Sequence, residues 1–97
     1  MQHVKRLEII IDAAHLRHIL PELRGHGLTG YSVFSNVTGL GNRGEKFGDE
    51  LGSGAVNACI VTALDPERVP ELAELLRPLL KKYGGICLIS DAQWLRH

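Results

Sequence analysis

The sequence predicts a single α+β domain with the element order βαββαβ. Three observations carry this. Four short runs rich in β-branched and apolar residues are spaced along the chain. Two segments between them place leucine, isoleucine and valine at helical spacing, and a glycine-dense stretch joins the second run to the third. With 97 residues there is room for one core and no second lobe.

"VKRLEIII" (4–11) is too short for a buried helix and reads as the first strand. Asp12 is placed to cap a helix in which Leu16, Ile19, Leu20 and Leu23 form the buried stripe, ending at Gly25 or Gly27. Pro21 inside it is expected to kink or shorten it. "TGYSVFSNV" (29–37) and "AVNACIVTAL" (55–64) read as the second and third strands. "DP" at 65–66 predicts a helix start, an N-cap aspartate followed by proline at the first helical position. Val69, Leu72, Leu75, Leu76 and Leu79 make that helix's apolar stripe; Lys81 and Lys82 suit the negative end of its dipole, and Gly84 its left-handed cap. "GICLIS" (85–90) is the last strand.

Two right-handed crossovers in so short a chain give a four-stranded sheet with both helices on one face, a ferredoxin-like sandwich. Strands one, three and four are apolar at both parities: Ile9 and also Ile10, Ile60 and also Cys59 and Val61, Leu88 and also Cys87 and Ile89. Such strands read as buried on both faces. The face that the helices leave bare is therefore expected to meet another copy of the chain.

Eleven basic and eleven acidic side chains cancel, so the chain lacks the broad positive field that nucleic-acid binding needs. Cys59 and Cys87 lie in apolar runs without a CxxC spacing and read as reduced thiols, and no apolar run reaches the length of a membrane span. A cytoplasmic protein without membrane insertion is the expectation. No Ser/His/Asp or Cys/His constellation points to catalysis. His15 and His18, three apart on the first helix, read as solvent-facing rather than as metal ligands, and Trp94 as a packing residue at a subunit contact.

"GLGNRGEKFGDELGSG" (39–54) places six of the 11 glycines in sixteen positions. "GLGNRG" matches G-x-G-x-x-G, but further glycines follow where a dinucleotide fold needs a helix to open, and Glu45 stands where a P-loop needs lysine. The remaining reading is a long hairpin loop whose base can turn backbone N–H groups toward one anion, with the Arg43 guanidinium as a planar fork. Ordering sixteen residues costs roughly 1 kcal/mol or more each, whereas a micromolar ligand supplies about 8 kcal/mol in total. A small ligand would therefore fix only a few residues, with Gly39, Gly41, Asn42 and Arg43 best suited.

"GLTGYSVFSNVTGLGNRG" (27–44) resembles the segment of PII signal-transduction proteins that runs from the end of the first helix into the base of the T-loop, with one residue more than usual. "YGGICLISDAQWL" (83–95) resembles the end of the small PII-like proteins that accompany bicarbonate transporters and carboxysomes, the CPII type. The likeness spans nearly the whole of 1–97, with the T-loop at about 38–55. It implies a homotrimer that binds adenine nucleotides in clefts between subunits and engages a target through the T-loop. Carried onto this chain, the phosphate contacts fall on Gly39, Gly41, Asn42 and Arg43, with Lys46 as a second basic position. The B-loop falls on Gly84 and Gly85, the adenine-contacting hydroxyls on Thr29 and Ser32, a third-strand contact on Thr62, and the cleft wall on Ile10. Arg96 matches an arginine that reaches the phosphates held by a neighbouring subunit.

Bicarbonate, if bound beside the nucleotide, would use Gly41, Asn42 and Arg43, and a membrane bicarbonate transporter is the implied target. "YGGI" lacks the basic B-loop residue of larger PII proteins, which favours ADP or AMP over ATP; cyclic AMP stays in the set. The loop has no tyrosine for uridylylation. A trimeric metal-tolerance protein of related fold, using histidines and cysteines as ligands, is the alternative.

Overall fold

The computed structural model describes residues 1–28, 30–37, 39–41, 44–46 and 56–97, the segments 39–41 and 44–46 through their backbone pairing alone. Strand β1 (Gln2–Asp12) leads through a 3-10 turn (Ala13–His15) into helix α1 (Leu16–Gly25). Strand β2 (Ser32–Val37) precedes a two-stranded ribbon of β3 (Gly39–Gly41) and β4 (Gly44–Lys46). Strand β5 (Asn57–Leu64), a 3-10 turn (Pro66–Arg68), helix α2 (Val69–Tyr83) and strand β6 (Ile86–Trp94) follow. The main sheet has the order β2-β5-β1-β6 with every neighbour antiparallel, as a ferredoxin-like sandwich requires.

Alternation along β1 assigns the two faces. Leu7, Ile9 and Ile11 point to the helices, where Ile60, Ile19, Leu23, Leu72 and Leu76 complete a buried core. The predicted stripes of both helices are the ones that pack here, with Leu16, Leu20, Val69, Leu75 and Leu79 at the margin. The opposite face carries Ile10 paired with Cys59 and Ile86, Glu8 paired with Val61 and Leu88, and Phe34 paired with Cys59. On it Phe34, Leu88 and Ile86 are 57%, 54% and 47% exposed. The apolar second face read from the sequence is therefore open in a single chain.

Several local expectations change. Pro21 does not end α1, which continues to Gly25. The helix closes with the Leu28 N–H donating to the Leu23 carbonyl at 3.1 Å and the Gly27 N–H to the Arg24 carbonyl at 2.9 Å, with Gly27 at φ 85°. This paired ending is a Schellman motif, sealed by two buried leucines, Leu23 and Leu28. Asp65 precedes Pro66 as predicted, yet its carboxylate makes no capping bond. Gly84 has φ 78° but ψ 164°, so it leaves the helix extended instead of in the left-handed helical well. β6 runs four residues beyond the predicted strand, because "DAQW" pairs with the start of β1. In β2 the pairing jumps between Ser35 and Val37, leaving Asn36 as a bulge at φ 60°. Asparagine tolerates that backbone.

The thiols lie on opposite faces of the sheet, since Cys59 pairs with Ile10 and Cys87 with Ile9. Their side chains point apart and cannot bridge within one chain. Burial pushes both thiols above their ordinary value, which keeps them protonated and unreactive.

Gly85 sits at φ 123°, and a Cβ there would lie 2.7 Å from the Ile10 carbonyl oxygen and 2.7 Å from Ile11 Cγ2. Gly25 has open space around it. Gly85→Ala should cost about 2 kcal/mol or more in denaturant unfolding, from backbone strain and overpacking. Gly25→Ala should be neutral or stabilising by up to about 1 kcal/mol.

Candidate functional site

The residues singled out in the sequence gather in two places. Around one end of the sheet lie Ile10, Gly84 and Gly85, packed through the close approach of Gly85 to the Ile10 carbonyl. The β3–β4 ribbon leaves from this same end, because Val37 pairs with Asn57 and Asn57 with Asp12. Within the ribbon Gly39 pairs with Lys46 and Gly41 with Gly44, so the loop base is a hairpin and not an open coil. Thr29, Asn42 and Arg43 lie outside the described residues, as does 47–55 of the T-loop.

The second place is a groove of 440 Å³ on the other half of the sheet. Its floor is Val4 and Arg6 of β1 with Val61 and Ala63 of β5; one wall is Gly30, Tyr31 and Ser32, and the other is Ala92 to Leu95. Ser32 is exposed there and its hydroxyl can meet a ligand. Thr62 is different: it is buried, and its hydroxyl donates to the Gly30 carbonyl at 2.6 Å. It holds the wall in position. Arg24 Nε donates to the Tyr31 hydroxyl at 3.1 Å and fixes the same wall from α1.

Arg96 stands at the end of the groove. Its guanidinium lies 4.3 Å from the Trp94 ring, and its Nε and Nη2 donate to the Gln2 side-chain oxygen at 3.0 and 2.7 Å. Trp94 is thus stacked under an arginine of its own chain. Arg6, whose guanidinium is 3.5 Å from the Glu8 carboxylate, is a groove cation that sequence reading missed. Nothing in the sequence singles it out, and only the pairing of β1 with β5 and β6 puts it in a concave surface.

The two sets are separated along β1. Ile10 lies four residues from Arg6 and eight from Gln2, which is about 13 and 27 Å of strand. One chain does not bring them into a single site.

His18 is exposed, as expected, and His15 half-buried, and both pack on Tyr83 with centroids 5.0 and 4.7 Å away, the His18 pair parallel within 2°. They tie α1 to α2. Among the described residues no group of three His, Cys, Asp or Glu gathers as a metal site, and no helix is long and apolar enough to cross a membrane.

Residues 4–97 match the family described as nitrogen regulatory protein P-II. The chain belongs to that family. No curated protein matches it in sequence. Among solved structures it resembles CPII, a nitrogen regulatory PII-like protein from Thiomonas intermedia K12 bound to ADP, AMP and bicarbonate. The identity is 28%, over 97% of this chain and 90% of that one, with a TM-score of 0.86. CPII bound to ADP and bicarbonate matches at 30% identity over the same shares, with a TM-score of 0.82. The apo form of CPII matches at 27% identity over 98% of this chain and 95% of that one, with a TM-score of 0.78. The P-II chain described here is a PII-like protein of the CPII type.

Thr62→Val keeps the side chain's shape and removes its bond to Gly30. Unfolding should show a loss of about 1 kcal/mol, and amide exchange at Gly30 to Ser32 should quicken.

Proposed function

We propose that this PII-like protein is a regulatory module that binds an adenine nucleotide, ADP or AMP in preference to ATP, and bicarbonate with it, in clefts between copies of the chain. The observation that carries the reading is the division of the candidate ligand residues. Ile10, Gly84, Gly85 and the ribbon glycines lie at one end of the sheet, while Ser32, Thr62 and Arg96 lie on the other half, and the exposed apolar face of Phe34, Ile86 and Leu88 joins the two. A symmetric assembly that covers this face also sets one copy's ribbon end against a neighbour's groove, and a homotrimer of the family's kind does so three times. Covering the half of Phe34, Ile86 and Leu88 that is still exposed contributes about 0.8–1.5 kcal/mol for each side chain.

In this cleft the ribbon's backbone N–H groups and Arg43 take the phosphates, Lys46 adds a second charge, and Thr29 and Ser32 meet the base. Gly84 and Gly85 offer only backbone, which suits a mono- or diphosphate, and cyclic AMP is the weaker candidate of the set. Bicarbonate beside the phosphates would share the N–H groups of Gly41 and Asn42 and the Arg43 fork. The two anions together then order a loop that neither orders alone. The likeness to CPII, a protein bound to ADP, AMP and bicarbonate, supports this choice of ligands. The loop presents the ligand state to a target, for which a membrane bicarbonate transporter is the candidate, so the module would act in the cytoplasm on inorganic-carbon uptake. Its role is regulatory and not catalytic. The metal-tolerance alternative has no three-ligand cluster to build on among the described residues.

Sedimentation at micromolar concentration should give three chain masses; a monomer would remove the cleft. Calorimetry with ADP should show binding that tightens when bicarbonate is present. Arg43→Ala should weaken ADP binding about tenfold or more, the loss expected for a charge-assisted bond, with the melting temperature of the free protein unchanged. Absence of any effect of bicarbonate on ADP affinity would leave a nucleotide sensor without the carbon input.

A further inference from the structure

Arg96 is not free to meet a ligand: the structure holds it in a three-residue relay. The Asp65 carboxylate accepts from Gln2 Nε2 at 2.7 Å, and Gln2 Oε1 accepts from both Arg96 Nε and Nη2. Only one orientation of the Gln2 amide serves this arrangement. An ionised carboxylate can only accept and a guanidinium can only donate, so the amide must turn its nitrogen to Asp65 and its oxygen to Arg96. Asp65 does so at the cost of its helix-capping bond. The guanidinium also rests on the Trp94 ring, which lines the groove.

We propose that Gln2 is a specificity-setting residue that parks Arg96, so that only a ligand carrying formal negative charge draws the guanidinium into the site. The proposal rests on the reading of Arg96 as a phosphate contact. A neutral amide oxygen is a weaker partner for a guanidinium than a phosphate oxygen, which also forms the bidentate geometry that arginine favours. The anion therefore wins the exchange, while a neutral nucleoside gains nothing from it. Asp65 keeps the amide in the holding orientation, so the parked state is defined from the start of α2. The hold sets a threshold: every anionic ligand must first displace Gln2, and discrimination between nucleotide and nucleoside is built at a position that touches neither base nor sugar.

The test compares the unaltered protein with Gln2→Met, which keeps side-chain length and removes the acceptor, and with Gln2→Glu, which replaces the amide oxygen by a carboxylate. ADP affinity by calorimetry should rise about threefold to tenfold in Gln2→Met, the net worth of the two bonds shared by one neutral acceptor, and fall in Gln2→Glu. Adenosine affinity should be the same in Gln2→Met as in the unaltered protein. A purely structural role for Gln2 would move ADP binding in the same direction in both variants and would overturn the proposal, as would equal ADP affinity in the unaltered protein and Gln2→Met. Trp94 is the chain's one tryptophan, so its emission reports the parked arginine directly. If ADP does not bind the unaltered protein, the nucleotide reading fails by itself, and inorganic pyrophosphate read by Trp94 emission decides the hold. Half-change at a lower pyrophosphate concentration in Gln2→Met supports it; coincident titrations, or no change in either protein, overturn it.

Discussion

A four-stranded sheet has two apolar faces, and two helices cover only one of them. That imbalance governs the rest of this structure. Ile9 and Ile60 disappear under α1 and α2, while their neighbours one residue along, Ile10, Cys59 and Val61, belong to the uncovered side with Phe34, Ile86 and Leu88. The open face is a continuous surface on which the ribbon end and the groove end are set apart by strand length. Where a globular enzyme closes its site between its own elements, this fold leaves the ribbon end and the groove apart on one sheet.

The two ends are built differently. At the ribbon end, backbone dominates: Gly85 is admitted to the Ile10 carbonyl only because it has no Cβ, and Gly39, Gly41 and Gly44 take part in the ribbon's pairing. Main-chain donors recognise an anion by position and charge, not by identity. At the groove end, side chains make more of the surface, and three contacts steady it. Thr62 secures Gly30, Arg24 secures Tyr31, and Gln2 secures Arg96. The chain thus combines a groove steadied by side-chain bonds with a ribbon end built largely of glycine backbone.

The His15, His18 and Tyr83 stack has a separate task. It joins the entry to α1 and the exit of α2 at the margin of the core.

Element order, the two helical stripes, the second apolar face and the position of the glycine loop were all legible in the sequence. Each is a matter of local periodicity or of backbone permission: Ile19 and Leu23 repeat at helical spacing, Ile9 and Ile10 differ by one parity, and glycines permit a tight loop wherever the fold places it. The likeness of 27–44 and 83–95 to PII proteins carried the candidate ligand residues. Partnership was not legible. Nothing local pairs Gln2 with Arg96, which are 94 residues apart, or takes Asp65 from its cap to Gln2, or turns the Thr62 hydroxyl inward to Gly30. Those contacts depend on strand register, and so does the placing of Arg6 in a concave surface. Register follows from the fit of the whole hydrophobic pattern between strands distant in sequence, which only the folded sheet decides.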